Sequence, residues 1–126
     1  MILIKIVFKL DQIVTFVIQI LHMRTILIIG AGRSASSLIQ YLLNKSFDEN
    51  LHLTIADLSI ELAQKKTNNH PNATPLQFDI FNSEQRKAEI NKADIVISML
   101  PAHLHIEVAK DCIAYKKHMV TASYIS

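Results

Sequence analysis

From residue 23 onward, short apolar runs alternate with longer mixed ones. The first run, Thr25 to Ile29 (TILII), is β-branched and stops at Gly30-Ala31-Gly32, which reads as a strand ended by a turn. Ser34 to Leu43 then places Ala35, Leu38, Ile39 and Leu42 at helical spacing on one face. Leu51 to Ala56 is the second predicted strand. Ser59 can cap the helix after it, with Glu61 in the favourable first turn and Leu62 and Ala63 turned inward. Pro71 and Pro75 bracket a loop, and Pro75 leads into a short strand through Phe78. Asn82 or Ser83 opens a third helix toward Ile90. Asp94 precedes the strand Ile95 to Ser98, which Pro101 closes. The last helix is expected over Leu104 to Tyr115, with Val108, Ala109, Cys112 and Ile113 on its apolar side, and His118 to Thr121 forms a fifth strand.

Strand and helix thus alternate, and the strands are nearly continuous in apolar residues. That combination predicts an α/β fold: a parallel sheet with helices on both faces, every strand ending on the same edge. No internal repeat or low-complexity linker interrupts it.

Met1 to His22 does not share this pattern. Lys5, Lys9, Asp11, Gln12 and Gln19 break its apolar run, so it lacks the roughly 20 apolar residues that cross a bilayer. No small-x-small cleavage motif follows Ile20, which argues against an export signal. Residues 1–22 are therefore set apart as an extension, better read as upstream coding sequence or a poorly packed segment than as an extra helix, strand or membrane element. Met23 is a candidate start, and 23–126 is the domain.

Composition narrows the function. At 50% hydrophobic and 19% charged residues, the 126-residue chain can bury one core. A net charge of +2, with no long basic run, does not suit a nucleic-acid surface. The single Cys112 excludes an internal disulfide framework or thiolate zinc knot and fits a reduced, cytoplasmic protein. On the apolar side of a helix it reads as a buried, unreactive thiol.

The chain has only two glycines, Gly30 and Gly32, and both follow the first strand. Gly30 allows the tight turn, Gly32 lets a pyrophosphate approach the backbone, and Ala35 is small enough for close helix–strand packing. The helix N-terminus then presents amides to phosphate. This predicts a dinucleotide-binding, Rossmann-like domain. Asp57, 27 positions after Gly30, ends the second strand and can accept the adenosine ribose hydroxyls, which favours NAD over NADP. The usual spacing is about 20 residues, and Arg33 can lie near the same ribose. Asp79 is placed to approach the adenine edge or to cap its loop. Met99, Leu100 and Pro101, with Ser98, follow the fourth strand, where backbone atoms would pass the nicotinamide side. His103 and His105 do not share one helical face, and no third ligand has metal-site spacing. No metal is expected.

These landmarks resemble the N-terminal cofactor domain of the saccharopine dehydrogenase (saccharopine reductase) family. The matching pieces are ILIIGAGRSASSLIQYLL from Ile26, LTIADLS from Leu53, QFDI from Gln77, and DIVISMLPAHLHIEVAKDCIAYKKHMVTASYIS from Asp94. The resemblance implies Gly30, Arg33 and Ser34 at the phosphates and Asp57 at the adenosine ribose. It implies Met99, Leu100, Pro101 and His105 along the cofactor cleft, with Thr121, Ser123 and Tyr124 at the nicotinamide and substrate entrance. Ala35 stands where the family often has a third glycine, and Ala102-His103-Leu104 replaces a more aromatic run. Asp57 also departs from the NADP preference of the lysine-pathway reductases.

The activity implied is hydride transfer between a nicotinamide cofactor and the carbon–nitrogen bond of saccharopine. Family members are several times longer, and their second domain supplies most of the substrate surface. The 126 residues alone are expected to bind the dinucleotide without turnover. A separate substrate-domain polypeptide or self-association would cover the open edge of the sheet. The competing reading is a nucleotide-sensing or regulatory module without catalysis. The glycine pair and Asp57 serve both readings, whereas SMLPAHLH and TASY favour the oxidoreductase.

Overall fold

The computed structural model describes residues 23–121. They form five strands and four α-helices: β1 (Arg24–Ile29), α1 (Ser36–Lys45), β2 (Leu51–Asp57), α2 (Ile60–Thr67), β3 (Ala73–Gln77), α3 (Ser83–Lys92), β4 (Ile95–Ser98), α4 (His105–Ala114) and β5 (His118–Thr121). Single 3-10 turns, Arg33–Ala35 and Ala102–Leu104, lead into α1 and α4. All pairings are parallel, in the order β3-β2-β1-β4-β5. This is the Rossmann-like fold that the patterning predicts. The extension 1–22, with Ser123 and Tyr124, lies outside the described residues.

The order follows from two marches outward from β1. The chain first steps to β2 and β3, then returns across the sheet to β4 and β5. Right-handed crossovers therefore put α1 and α2 on one face and α3 and α4 on the other. Alternate residues of β1 divide accordingly. Ile26 and Ile28 pack with Ile39 and Leu43 of α1 and Ala63 of α2, while Leu27 and Ile29 pack with Ile90 of α3 and Val108 and Cys112 of α4. Leu27, Ile28 and Ile29 are essentially inaccessible. Each such side chain contributes about 1.5–3 kcal/mol by leaving water, so β1 is the spine of both cores.

The helix starts follow local chemistry. Ser59 Oγ accepts from the Leu62 amide at 3.2 Å, and Asn82 Oδ1 accepts from the Gln85 amide at 3.1 Å. Both are the N-caps expected from their residue types. Asp94 ties β4 to β1: its amide donates to the Thr25 carbonyl and its Oδ2 accepts from the Thr25 amide, at 2.9 and 2.8 Å. The Lys66 ammonium donates to Ser36 Oγ and joins α2 to the start of α1.

Several details differ from the patterning. Leu62 lies on the outer side of α2, where only Ala63 and Thr67 are buried. Ile113 is 79% exposed, because α4 turns Val108 and Cys112 to the sheet. Strand β3 begins before Pro75 and carries it internally; an edge strand tolerates proline. Both α1 and α4 begin later than expected, after their 3-10 turns.

Cys112 is buried as expected, and burial together with the Asp111 charge pushes its thiol pKa up. His52 is the other perturbed group: its Nε2 lies 2.8 Å from Thr74 Oγ1, and burial lowers its pKa. An unfolded histidine titrates near about 6.5. Below that pH the unfolded chain takes up a proton that folded His52 resists, so stability falls as pH falls. The thermal midpoint is expected to drop between about pH 7 and about pH 5, and less steeply in His52→Gln. Circular dichroism melts of the two proteins check this, and identical slopes would contradict it.

Candidate functional site

The chain reverses its march across the sheet between β1 and β4, and their C-terminal ends diverge there into different loops. An open α/β sheet has its ligand crevice at this point. The backbone closes tightly below it. The Gly30 amide donates to the Ala56 carbonyl at 2.7 Å, and the Met99 amide to the Ile29 carbonyl at 2.8 Å.

Gly30 and Gly32 have different reasons to be glycine. Gly30 has φ +105, and a Cβ there would stand 3.2 Å from the carbonyl carbon and oxygen of Met99. Its conformation would strain a side chain, and its neighbour would crowd one. Gly32 has φ −72, which any residue adopts, and a Cβ on it would meet nothing within 4 Å. Space beside Gly32 is open, and the first turn after it leaves N–H groups without intrahelical acceptors. Arg33 and Ser34 are exposed on that turn, whereas Ala31 and Ala35 are buried against the sheet.

Asp57 holds this loop to the next one. Its Oδ2 accepts from the Ala31 amide and its Oδ1 from the Ser59 amide, both at 2.8 Å. The carboxylate thus sits at a fixed place where the loops after β1 and β2 meet. From there a cleft of about 230 Å³ runs toward the loops after β3 and β4, lined among others by Gly30, Asp57, Asp79, Phe81, Leu100 and Leu104. Leu58 and Phe81 at its mouth are 68% and 72% exposed, so large apolar groups face solvent at a concave surface. Asp79 accepts from the Phe81 amide through Oδ1 at 3.0 Å, which shapes the loop after β3.

The loop after β4 carries the other wall. Met99 and Leu100 are half-buried and Pro101 is exposed. His105 does not line the cleft: its Nδ1 lies 2.8 Å from the Oγ of fully buried Ser98, so the ring closes the start of α4 onto the end of β4. Its Nε2 is buried without a hydrogen-bond partner among the described residues. His103 and Thr121 are exposed, and Thr121 pairs in register with Ser98. A larger hollow of about 630 Å³ lies outside α2 and β3, lined by Glu61, Lys65, Asn68, His70 and Pro75 among others. Its lining shares no residue with the glycine loop and takes in β3 from its N-terminal end rather than any strand's C-terminal end, so the smaller cleft is the candidate site.

Residues 26–126 match the family described as saccharopine dehydrogenase NADP binding domain. The chain belongs to that family. It is 32% identical over 103 residues to a saccharopine dehydrogenase [NADP(+), L-glutamate-forming] from Pyricularia oryzae, covering 82% of this chain and 22% of the relative. It is 34% identical over 107 residues to mitochondrial alpha-aminoadipic semialdehyde synthase from Bos taurus, covering 82% and 11%. Among solved structures, apo saccharopine dehydrogenase (L-Glu forming) from Saccharomyces cerevisiae superposes with a TM-score of 0.71 at 26% identity, covering 82% of this chain and 22% of that one. The chain thus spans about a fifth of the length of the fungal relatives and corresponds to their cofactor domain.

The two glycines make separable demands on stability. Gly30→Ala is expected to cost about 1–3 kcal/mol, because the backbone conformation must be kept or abandoned. Urea denaturation followed by circular dichroism measures it, and an unchanged midpoint would contradict the assigned geometry.

Proposed function

We propose that this chain is the nicotinamide-dinucleotide-binding domain of a saccharopine dehydrogenase-like oxidoreductase. The observation that carries the reading is the open space at Gly32, between a strand end and a helix start. A pyrophosphate can approach the backbone there, with the amides of the first turn and the Arg33 side chain to receive it. Gly30 serves the site indirectly, by letting the loops after β1 and β4 meet. Asp79, Phe81 and Leu58 border the end of the cleft suited to adenine. Met99, Leu100 and Pro101 border the nicotinamide side, with Thr121 at the end of β5. Ser98 and His105 hold that side in shape.

The fit extends to the adenosine ribose. Asp57 has one lone-pair direction taken on each oxygen and lines the cleft, which leaves acceptor capacity that a ribose diol could use. Its fixed charge would also repel a 2′-phosphate in a partly desolvated cleft. NAD is therefore the favoured cofactor, with Arg33 as the opposing influence.

When bound, the nicotinamide supplies hydride exchange at a carbon–nitrogen bond, and saccharopine is the substrate to which the family points. This chain's residues bind and orient the dinucleotide. Holding the substrate needs a second wall, for which the greater length of the relatives leaves ample sequence. Saccharopine with NAD or NADP is accordingly expected to give no steady nicotinamide absorbance change with this chain alone.

The site assignment is tested with Gly32→Val. Its side chain enters empty space, so folding should be unaffected, while NAD affinity by isothermal titration should fall at least about tenfold, or about 1.4 kcal/mol. Equal affinities in two folded proteins would refute the assignment. Cofactor choice is read in the same titrations. Wild-type protein should prefer NAD, and Asp57→Asn, which removes the charge but keeps one acceptor, should narrow the preference. Tighter binding of NADP by the wild type would give Arg33 the deciding role.

A further inference from the structure

We infer that Arg86 is a positioning residue for the adenine-side wall of the cleft, and this rests on the dinucleotide-binding reading. Arg86 lies in α3, the most polar of the helices (SEQRKAEINK), yet it is only 7% exposed. Its Nε donates to Asp111 Oδ2 of α4 at 2.5 Å, and its Nη1 donates to the Ile80 carbonyl at 2.7 Å. Nη2 lies 3.9 Å from Glu107 Oε2, also on α4. One guanidinium therefore joins the loop after β3 to the helix that follows the loop after β4.

Those loops form two walls of the cleft, the first of them on its adenine side. Ile80 and Phe81, with Asp79, come from one, and Leu100 and Leu104 from the other. Phe81 is 72% exposed, so core packing does not fix it. Its position depends on the loop backbone, which is held from two sides. Gln85 accepts from the Asp79 amide at 3.2 Å and donates to the Gln77 carbonyl at 2.8 Å on the exposed side. Arg86 holds the Ile80 carbonyl on the buried side. If Arg86 served only to join α3 and α4, the bond to Asp111 would suffice. The second arm reaches the residue next to Phe81, and a planar fork makes the two bonds from separate nitrogens, whereas a lysine ammonium would have to reach both acceptors from one atom.

The test is a double-mutant cycle of Arg86→Lys and Phe81→Ala in the full chain, titrated with ADP-ribose at a temperature where circular dichroism shows every variant folded. Each single change is expected to lower affinity about tenfold, and the pair about tenfold rather than a hundredfold, because both remove the same wall. Hydrogen exchange at the Phe81 and Asn82 amides should rise in Arg86→Lys while β1 stays protected. Wild-type affinity in Arg86→Lys, or losses that multiply, would overturn the inference. If Arg86→Lys does not fold, Arg86→Met with Asp111→Leu replaces the buried pair by apolar groups and takes its place in the cycle, with the same outcomes. Failure of the wild type to bind ADP-ribose would instead refute the cofactor reading, and the inference with it.

Discussion

The close approach of the β1 and β4 ends is the constraint on which the rest depends. Met99 bonds to the Ile29 carbonyl beside Gly30, where a Cβ would lie 3.2 Å from the Met99 carbonyl and force the two backbones to give. This keeps the two strands adjacent up to their last residues. Beyond them the chain must part in opposite directions, over α1 on one face and α4 on the other. The crevice is the result of that parting. A methyl group at Gly30 would act on the sheet before it acted on any ligand.

Around this point the loops are held mainly by side chains that bond to backbone. Asp57 takes the Ala31 and Ser59 amides, Gln85 both ends of the turn after β3, and Arg86 the Ile80 carbonyl. Loops at a sheet edge bury little apolar surface, so such bonds replace packing as the source of order. A charged donor or acceptor strengthens each of them. The same residues thus serve the fold and the cleft together. That dual use is why the variants most informative about binding must be read beside a measure of folding.

Among the saccharopine dehydrogenases, the region that this chain resembles is one part of a longer chain. This chain matches the cofactor domain over 26–126 and spans about a fifth of the fungal relatives. The exposed Leu58 and Phe81 and the half-buried Leu100 are consistent with a cleft whose surface is completed on binding. Among the described residues, no helix is long and apolar enough to cross a membrane.

The sequence by itself determined what depends on neighbours along the chain. Alternating apolar runs specified five parallel strands, and Ser59 and Asn82 could be read as caps because a cap acts three residues away. The glycine pair marked the loop because no other glycine competes with it. Only the tertiary structure decided which face each helix turned inward. Leu62 and Ile113 fit an apolar stripe by spacing but fell outside, since helical periodicity does not say how wide the buried stripe is. Tertiary structure also separated the glycines: a Cβ at Gly30 would crowd a backbone 69 residues away, whereas one at Gly32 would enter open space. The place of Asp57 at the end of β2 was legible in the sequence, but not its bonds to Ala31 and Ser59. Arg86 was illegible: in a helix of polar residues an arginine reads as solvated, and only Asp111 and Ile80, brought near by the crossover, provide the partners that allow its burial.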